Sequence, residues 1–345
     1  METMNQVEVN PSKILQVGMG FFASKTLLSA VNMQLFTRLS GKEMTGTQLK
    51  EALGLHERGL YDFLDALVAL GFLQRTGLKD SALYSNAEEA EIFLDKTNPS
   101  YVGGILEMSN NRLYGFWNDL EEGLRTGLPQ NEIKGRDKGL FEELYADQAR
   151  LAEFLDAMGG IQMGNFRAFS TDFDFFRYST HCDIGGAGGH LSAQVVINNP
   201  HMASISFDLA PVAPVAGRNI KNMGLAEKVE IRSGDFFKDN FPQADVITMG
   251  NVLHDWGTED KRKLIQKAYN SLPDGGALVV IENIIDDNRS ENVFGLLMSL
   301  NMLIETSEGF DFSASDFDGW AKEAGFKTTE KIPLTGPSSA VIAYK

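Results

Sequence analysis

Hydrophobic spacing changes along the chain near residue 180. Before it, apolar residues recur at intervals of three and four: Leu60, Phe63, Leu64, Leu67 and Leu70 share one face of a helix predicted over 59–70, as the 3.6-residue turn requires. After it, short β-rich runs at 181–184, 204–207, 229–233, 246–249 and 277–282 alternate with helical patterns, clearest at 190–198 and 261–271. That alternation predicts a doubly wound α/β domain around a parallel sheet. A helix over 315–324 precedes strands at 327–332 and 340–344, and Leu334-Thr335-Gly336-Pro337 between them supplies turn chemistry. The chain is expected to end in a hairpin that forms an antiparallel edge of the sheet.

In the first half, Met44-Thr45-Gly46-Thr47-Gln48-Leu49 has the composition of a helix cap and Leu53-Gly54-Leu55 that of a turn. With the helix over 59–70 and a wing over 72–84 they predict a helix-turn-helix of winged-helix type. A helix that reads a DNA major groove needs Arg, Lys, Asn or Gln on its outer face, and this one offers Asp62 and Asp65 with Arg58 alone. Packing or dimerisation is the expected use. Residues 14–33 carry Val17, Met19, Phe21, Phe22, Leu27, Leu28 and Val31, more apolar surface than one helix on a domain needs. They are expected to bury two faces, one against a partner subunit, with an ordinary core helix as the alternative. No apolar run is read as reaching the ~18–20 residues of a membrane span.

Length and charge narrow the classes. At 345 residues the chain exceeds one compact domain, and 43% hydrophobic residues support a sizeable core. A net charge of −16, spread over both halves, argues against nucleic acid or an anionic membrane as partner. The single cysteine, Cys182, excludes a disulfide framework and fits a reducing cytoplasm. The N-terminus lacks the basic and apolar regions of a signal peptide.

Candidate chemistry gathers at the carboxyl ends of the predicted strands. Asp183-Ile184-Gly185-Gly186-Ala187-Gly188-Gly189-His190 stands where the first strand turns into a helix. Such a turn lets a ligand approach backbone N–H groups and the positive end of the helix dipole. It is not the G-x-G-x-x-G of nicotinamide sites, because Leu191 stands where the third glycine would be. An acid two residues before the first glycine suits a ligand with cationic character. Phe207-Asp208-Leu209 places a carboxylate for ribose hydroxyls, and Gly234-Asp235-Phe236-Phe237 an acid and an aromatic for adenine.

Of His56, His181, His190, His201 and His254, only His254, in Asn251-Val252-Leu253-His254-Asp255-Trp256 after the fourth strand, is read as a general base. Glu282, ending the fifth strand, is expected to fix its tautomer. No His/Asp/Glu set shows metal spacing, Gly-x-Ser-x-Gly is absent, and Cys182 is expected within a buried strand. Met298, Asn301, Met302 and Glu305 share one helical face, which suits either a pocket lining or a core. Glu305, Glu308 and Asp311 are read as a solvated acidic loop.

Taken together, Asp183-Ile184-Gly185-Gly186-Ala187-Gly188-Gly189, Phe207-Asp208-Leu209, Gly234-Asp235-Phe236, Leu253-His254-Asp255-Trp256 and Leu272-Pro273-Asp274-Gly275-Gly276 resemble the motifs of S-adenosylmethionine-dependent O-methyltransferases of the caffeate and acetylserotonin type. The resemblance implies a Rossmann-like class I methyltransferase sheet over 175–345, a winged-helix dimerisation domain over 1–100, and a helical connector lining the pocket over 101–174. It implies an intertwined homodimer acting on a small molecule, with S-adenosylhomocysteine as coproduct. Gly185 would contact the aminocarboxypropyl part of the cofactor, Asp208 the ribose, and Asp235 with Phe236 the adenine; Asp183, Gly189, Leu209 and Gly250 complete the expected cofactor set. His254 would accept the proton of a substrate hydroxyl, steered by Glu282 and Asp311, with Trp256, Met298, Asn301 and Met302 facing the substrate. The same site admits a C- or N-methyltransferase, or a relative that uses the cofactor for other chemistry. Three positions depart from the family: Ala187 replaces a glycine, Gly250 stands where many members have lysine, and Asp311 is shorter than the usual glutamate.

Overall fold

The computed structural model describes residues 9–136, 144–145 and 147–345 and divides into two compact units, Met1–Arg112 and Leu113–Lys345.

In the first unit, Thr45 and Gln48 form a reciprocal capping box that starts the helix Gly46–Leu53, and Gly54 ends it in the left-handed conformation (φ 68°), so the predicted cap and turn are both present. The helix Glu57–Ala69 buries Leu60, Leu64 and Leu67 among Leu35, Phe36, Leu49 and Tyr84. The expected stripe is narrower than its spacing suggested. Leu70 follows the last helical turn and is 41% exposed. A small antiparallel sheet supplies the wing, with β1 (Met44–Thr45), β2 (Leu73–Thr76) and β3 (Leu83–Asn86) in the order β1-β3-β2.

Residues 14–33 form two helices, Ser12–Gly18 and Phe21–Asn32. Only the far end packs within the unit, through Leu28, Ala30 and Val31. Ile14, Val17, Phe21 and Phe22 are all more than half exposed among the described residues, so the second apolar face is real. The expectation about membrane length is corrected here. Ser12–Asn32 spans 21 residues and holds an 18-residue window with a mean hydropathy of 1.4, long and apolar enough by those two measures to cross a membrane.

In the second unit, seven strands form one sheet in the order β6-β5-β4-β7-β8-β10-β9. They are β4 (Thr180–Ile184), β5 (Ala203–Asp208), β6 (Val229–Ser233), β7 (Val246–Gly250), β8 (Ala277–Glu282), β9 (Thr328–Pro333) and β10 (Ser339–Tyr344). Strands β4 to β8 pair in parallel, and β10 pairs antiparallel with both β8 and β9, so the terminal hairpin is the predicted antiparallel edge. Residues alternate between two cores. Ile247, Met249, Leu278 and Val280 pack on one face with the helices Thr258–Ser271 and Ala314–Ala324. Val246, Val279 and Ile281 pack on the other with the helix His190–Asn198. A strand covered on both faces reads as a continuous apolar run, which is why β7 and β8 are so plain in the sequence. The strand order reverses between β4 and β7, and such a switch point opens a crevice at the carboxyl ends of the strands.

Candidate active site

A cavity of about 270 Å³ occupies that crevice. Its floor is the turn after β4. Gly185 (φ 72°) and Gly189 (φ 77°) hold left-handed conformations there, and Ala187 does so as well (φ 47°) despite its Cβ. That strain, on the order of 1–2 kcal/mol, is met by a tether, because the Ala187 N–H donates to Asp208 Oδ2 at 2.9 Å. Asp208 Oδ1 accepts from Leu209 N–H at 2.7 Å, and burial raises its carboxyl to about 6 against those two bonds. Asp183 is buried and accepts from Thr248 Oγ1 at 2.7 Å; burial raises it to about 7.

A polar chain continues beneath the floor. His181 Nε2 lies 2.9 Å from Thr248 Oγ1, and Nδ1 lies 2.7 Å from Ser204 Oγ. The one hydroxyl proton of Thr248 goes to Asp183, so His181 must donate through Nε2–H and accept through Nδ1. Burial drives this imidazole down to about 3, and it is a neutral structural histidine, as expected.

Asp183, Gly185, Asp208, Leu209, Asp235, Phe236, Gly250 and Trp256 all line the cavity. Gly189 does not; it caps the helix His190–Asn198 and shapes the turn. Asp235 accepts from Phe237 N–H and pairs with Lys238 at 2.8 Å, and that contact, with the hydrogen bond, holds its carboxyl below the usual range. Trp256 packs edge-on against Phe237, with ring centroids 4.6 Å apart. It therefore stands with the residues expected at the adenine.

One wall comes from within the 101–174 connector, to which the resemblance gave a pocket-lining role without naming a residue. The helix Gln148–Asp172 contributes Leu155, Met158, Gly159, Gln162 and Phe166. His190 also lines the cavity, and its imidazole leaves no room for a Cβ at Gly159 or Gly188; burial lowers its pKa and keeps it neutral. Tyr145, Gln162 and His190 are polar lining groups, and among the described residues no Lys or Arg lines the cavity. Four carboxylates and an aromatic pair with no fixed cation fit a ligand that carries positive charge and an aromatic base, which S-adenosylmethionine does.

Beside the cavity lies a second cluster. His254 Nδ1 is 3.5 Å from Glu282 Oε2 and 3.5 Å from Asp311 Oδ1, and Nε2 is 3.6 Å from Asp255 Oδ1. These are charge contacts somewhat longer than hydrogen bonds. Glu282 is anchored through its other oxygen, which accepts from the N–H groups of Val252 and His254 at 3.1 and 3.3 Å. Burial pulls the imidazole down, but Glu282, Asp255 and Asp311 overcome it and leave the pKa at about 10. Burial raises Glu282 to about 7 in spite of His254. Two carboxylates on Nδ1 hold a proton there, so in the neutral imidazole, formed as pH rises toward 10, Nε2 is the nitrogen that can accept one, with Asp255 Oδ1 3.6 Å from it.

Two expectations change at this point. Glu305 and Asp311 are buried, so the acidic loop is not a solvated one, although Glu308 is exposed. Ser299 Oγ accepts from Asp311 N–H at 3.1 Å and turns that acid inward. The atoms of His254, Glu282 and Asp311 also lie within 4.8 Å of one another, a spacing of metal-ligand size that the sequence did not show. Met298, Asn301 and Met302 lie on the helix Val293–Glu305 and do not line the cavity. Asn301 accepts from Trp117 Nε1–H at 2.9 Å.

The comparisons with known proteins agree with this geometry. An O-methyltransferase domain model matches residues 117–327, and an O-methyltransferase dimerisation domain model matches residues 15–96, which takes in most of the exposed apolar face of Ser12–Asn32. The tetracenomycin polyketide synthesis 8-O-methyl transferase TcmO of Streptomyces glaucescens is 38% identical over 97% of both chains. The N,N-dimethyltransferase OxyT of Streptomyces rimosus is 30% identical over 92% of this chain and 91% of its own. The crystal structure of human N-acetylserotonin methyltransferase in complex with S-adenosylmethionine superposes with a TM-score of 0.90 at 26% identity, covering 99% of each chain. With its domain model spanning most of the sheet-bearing unit and a relative matched from end to end, the chain belongs to the S-adenosylmethionine-dependent O-methyltransferase family.

Proposed function

We propose that this enzyme methylates a hydroxyl of a small aromatic acceptor of the polyketide type, with His254 as the proton acceptor. The observation that carries the proposal is the pairing of His254 Nδ1 with two buried carboxylates, which reserves Nε2 for the substrate proton. When bound, S-adenosylmethionine supplies a sulfonium methyl group open to attack by a nucleophile. Asp208 would hold the ribose, Asp235 and Phe236 the adenine with Trp256 against them, and the turn at Gly185 the aminocarboxypropyl group. Asp183, Gly189, Leu209 and Gly250 shape that seat.

The acceptor hydroxyl lies against Nε2 in this reading. As its oxygen attacks, the proton passes to Nε2, and Glu282 and Asp311 stabilise the imidazolium that forms. Rate then comes from positioning and base action, with no covalent enzyme intermediate. Met298, Asn301 and Met302 are assigned to the acceptor side. Residues 1–100 are assigned to homodimerisation, 101–174 to a connector that lines the pocket and 175–345 to cofactor binding, and the reaction is placed in the cytoplasm.

The likeness to OxyT supports a second reading, transfer to an amine nitrogen. An uncharged amine attacks without a base. The test is transfer of labelled methyl from S-adenosylmethionine to 1-naphthol, a hydroxynaphthoate and a matching aminonaphthalene, with the product carbon identified by NMR. Under the leading reading, His254→Ala loses about 10²–10⁴-fold in kcat on the phenols and keeps its affinity for S-adenosylhomocysteine. Methylation confined to the amine, untouched by His254→Ala, would establish the second reading.

A further inference from the structure

Lys261 lies in the helix Thr258–Ser271 and is completely buried (0% exposed), while Arg262 and Lys263 beside it face solvent. Two features of its place oppose a cation. Burial penalises an ammonium, and the first turns of a helix carry the positive end of the dipole. A methionine would fill the same space at no electrostatic cost. The charge is therefore informative, and its contacts say what it does.

Its Nζ donates to the backbone carbonyl of Trp256 and sits 3.5 Å from the centroid of the Phe310 ring and 5.6 Å from that of Phe312. Those partners belong to two different segments. Trp256 closes the run His254-Asp255-Trp256, which bears the proton acceptor. Phe310 and Phe312 flank Asp311, whose carboxylate faces His254 Nδ1. Burial lowers the ammonium to about 8, and the attraction of Glu282, Asp311 and Asp255 limits the fall.

We propose that Lys261 is a positioning residue that clamps the His254 segment to the Asp311 segment, through a carbonyl on one side and an aromatic face on the other. The proposal rests on the reading of His254 as proton acceptor. A ring face binds only a cation in this way, so the two-sided clamp requires the charge that burial opposes.

The test uses Lys261→Met, Lys261→Arg and Phe310→Leu in the full-length protein. Two readouts are needed: kcat against KM on whichever naphthol the wild type methylates, and the hydrogen-bonded Nδ1–H proton of His254 by NMR in the complex with S-adenosylhomocysteine. Lys261→Met is expected to lower kcat by about 10- to 100-fold, the penalty of misplacing a reacting group, and to shift or broaden the His254 proton signal. The Kd for S-adenosylhomocysteine stays near the wild-type value. Lys261→Arg, which keeps the charge, recovers part of both. Phe310→Leu loosens the other side of the clamp, reproduces the deficit and adds little to Lys261→Met; it also carries the test if Lys261→Met does not fold. An unmoved His254 signal with unchanged kcat in a folded variant overturns the proposal, as does a parallel loss of cofactor affinity. The NMR readout needs no acceptor, so a shifted signal in a protein that methylates no naphthol separates failure of the functional reading from failure of the clamp.

Discussion

Replacing Glu282 by Gln removes one negative charge while keeping the shape of the side chain. Its Oε1 accepts two backbone N–H bonds, and an amide oxygen takes over both, so the path of residues 252–254 is kept. The loss is at Oε2, 3.5 Å from His254 Nδ1. Two unit charges at that separation attract by about 5 kcal/mol at an effective dielectric of ~20. With the proton roughly half transferred in the transition state, about 2 kcal/mol of stabilisation is removed, or about 30-fold in kcat at 1.36 kcal/mol per factor of ten. The full loss is read at the alkaline end, because the same substitution lowers the His254 pKa from about 10 and leaves more Nε2 able to accept at pH 7. An amide NH₂ turned toward Nδ1 favours the tautomer with that nitrogen bare and Nε2 protonated, which cannot accept from the substrate. Asp311, at the same 3.5 Å, limits the damage by keeping a negative charge against Nδ1. The assay is labelled-methyl transfer across pH 7 to 10, with the Kd of S-adenosylhomocysteine measured alongside. A kcat within about threefold of wild type would refute the assignment of Glu282 as the charge behind the base.

Four further outcomes are expected. The folded-state pKa of His254, about 10, exceeds the 6.5 of an unfolded chain, so its contribution to stability is complete below pH 6.5 and is lost as pH rises through 10; Tm should fall over that window in wild type and stay flatter in His254→Gln. The kcat/KM should move the other way, rising with pH as Nε2 becomes free to accept. Thr248→Val strips Asp183 of a donor and His181 of an acceptor, and should cost about 2–4 kcal/mol by urea unfolding at constant m, with a loss under half that refuting the chain of bonds. Phe22→Asp sets a charge on the exposed apolar face of residues 12–32 and should shift sedimentation from dimer toward monomer; an undisturbed dimer would place the interface elsewhere.

Much of the fold could be read from periodicity because burial is extreme where the reading was clearest. All six residues of β8 are buried, and a strand covered on both faces has no polar positions to obscure it. The motif acids could be found because each lies at or just beyond the carboxyl end of a strand, Asp183 and Asp208 within β4 and β5 and Asp235 after β6, where this topology presents ligands. The individual wall residues from Gln148–Asp172 were invisible for the opposite reason: Leu155, Met158 and Phe166 are the residues a helix uses to pack, and spacing does not distinguish a core from a cavity. Lys261 was not singled out, and the acidity around Asp311 was read as a solvated loop, since charged residues usually face water. What buries them is tertiary: a ring face and a carbonyl for one, an inward-turned backbone amide for the other. The His254, Glu282 and Asp311 grouping comes from three separate segments, so no sequence spacing could reveal it.

The stretch between β7 and the helix Thr258–Ser271 does two jobs at once. Gly250, Asn251, Val252, Asp255 and Trp256 wall the cavity, while His254 in their midst turns toward Glu282 and Asp311. In the proposed reading, cofactor seat and proton acceptor thus share one short stretch of chain. The helix Val293–Glu305 meets that arrangement at Ser299, whose Oγ accepts from Asp311 N–H. Remodelling its other faces leaves that bond in place, so diversification of products has an open route and diversification of chemistry a narrow one.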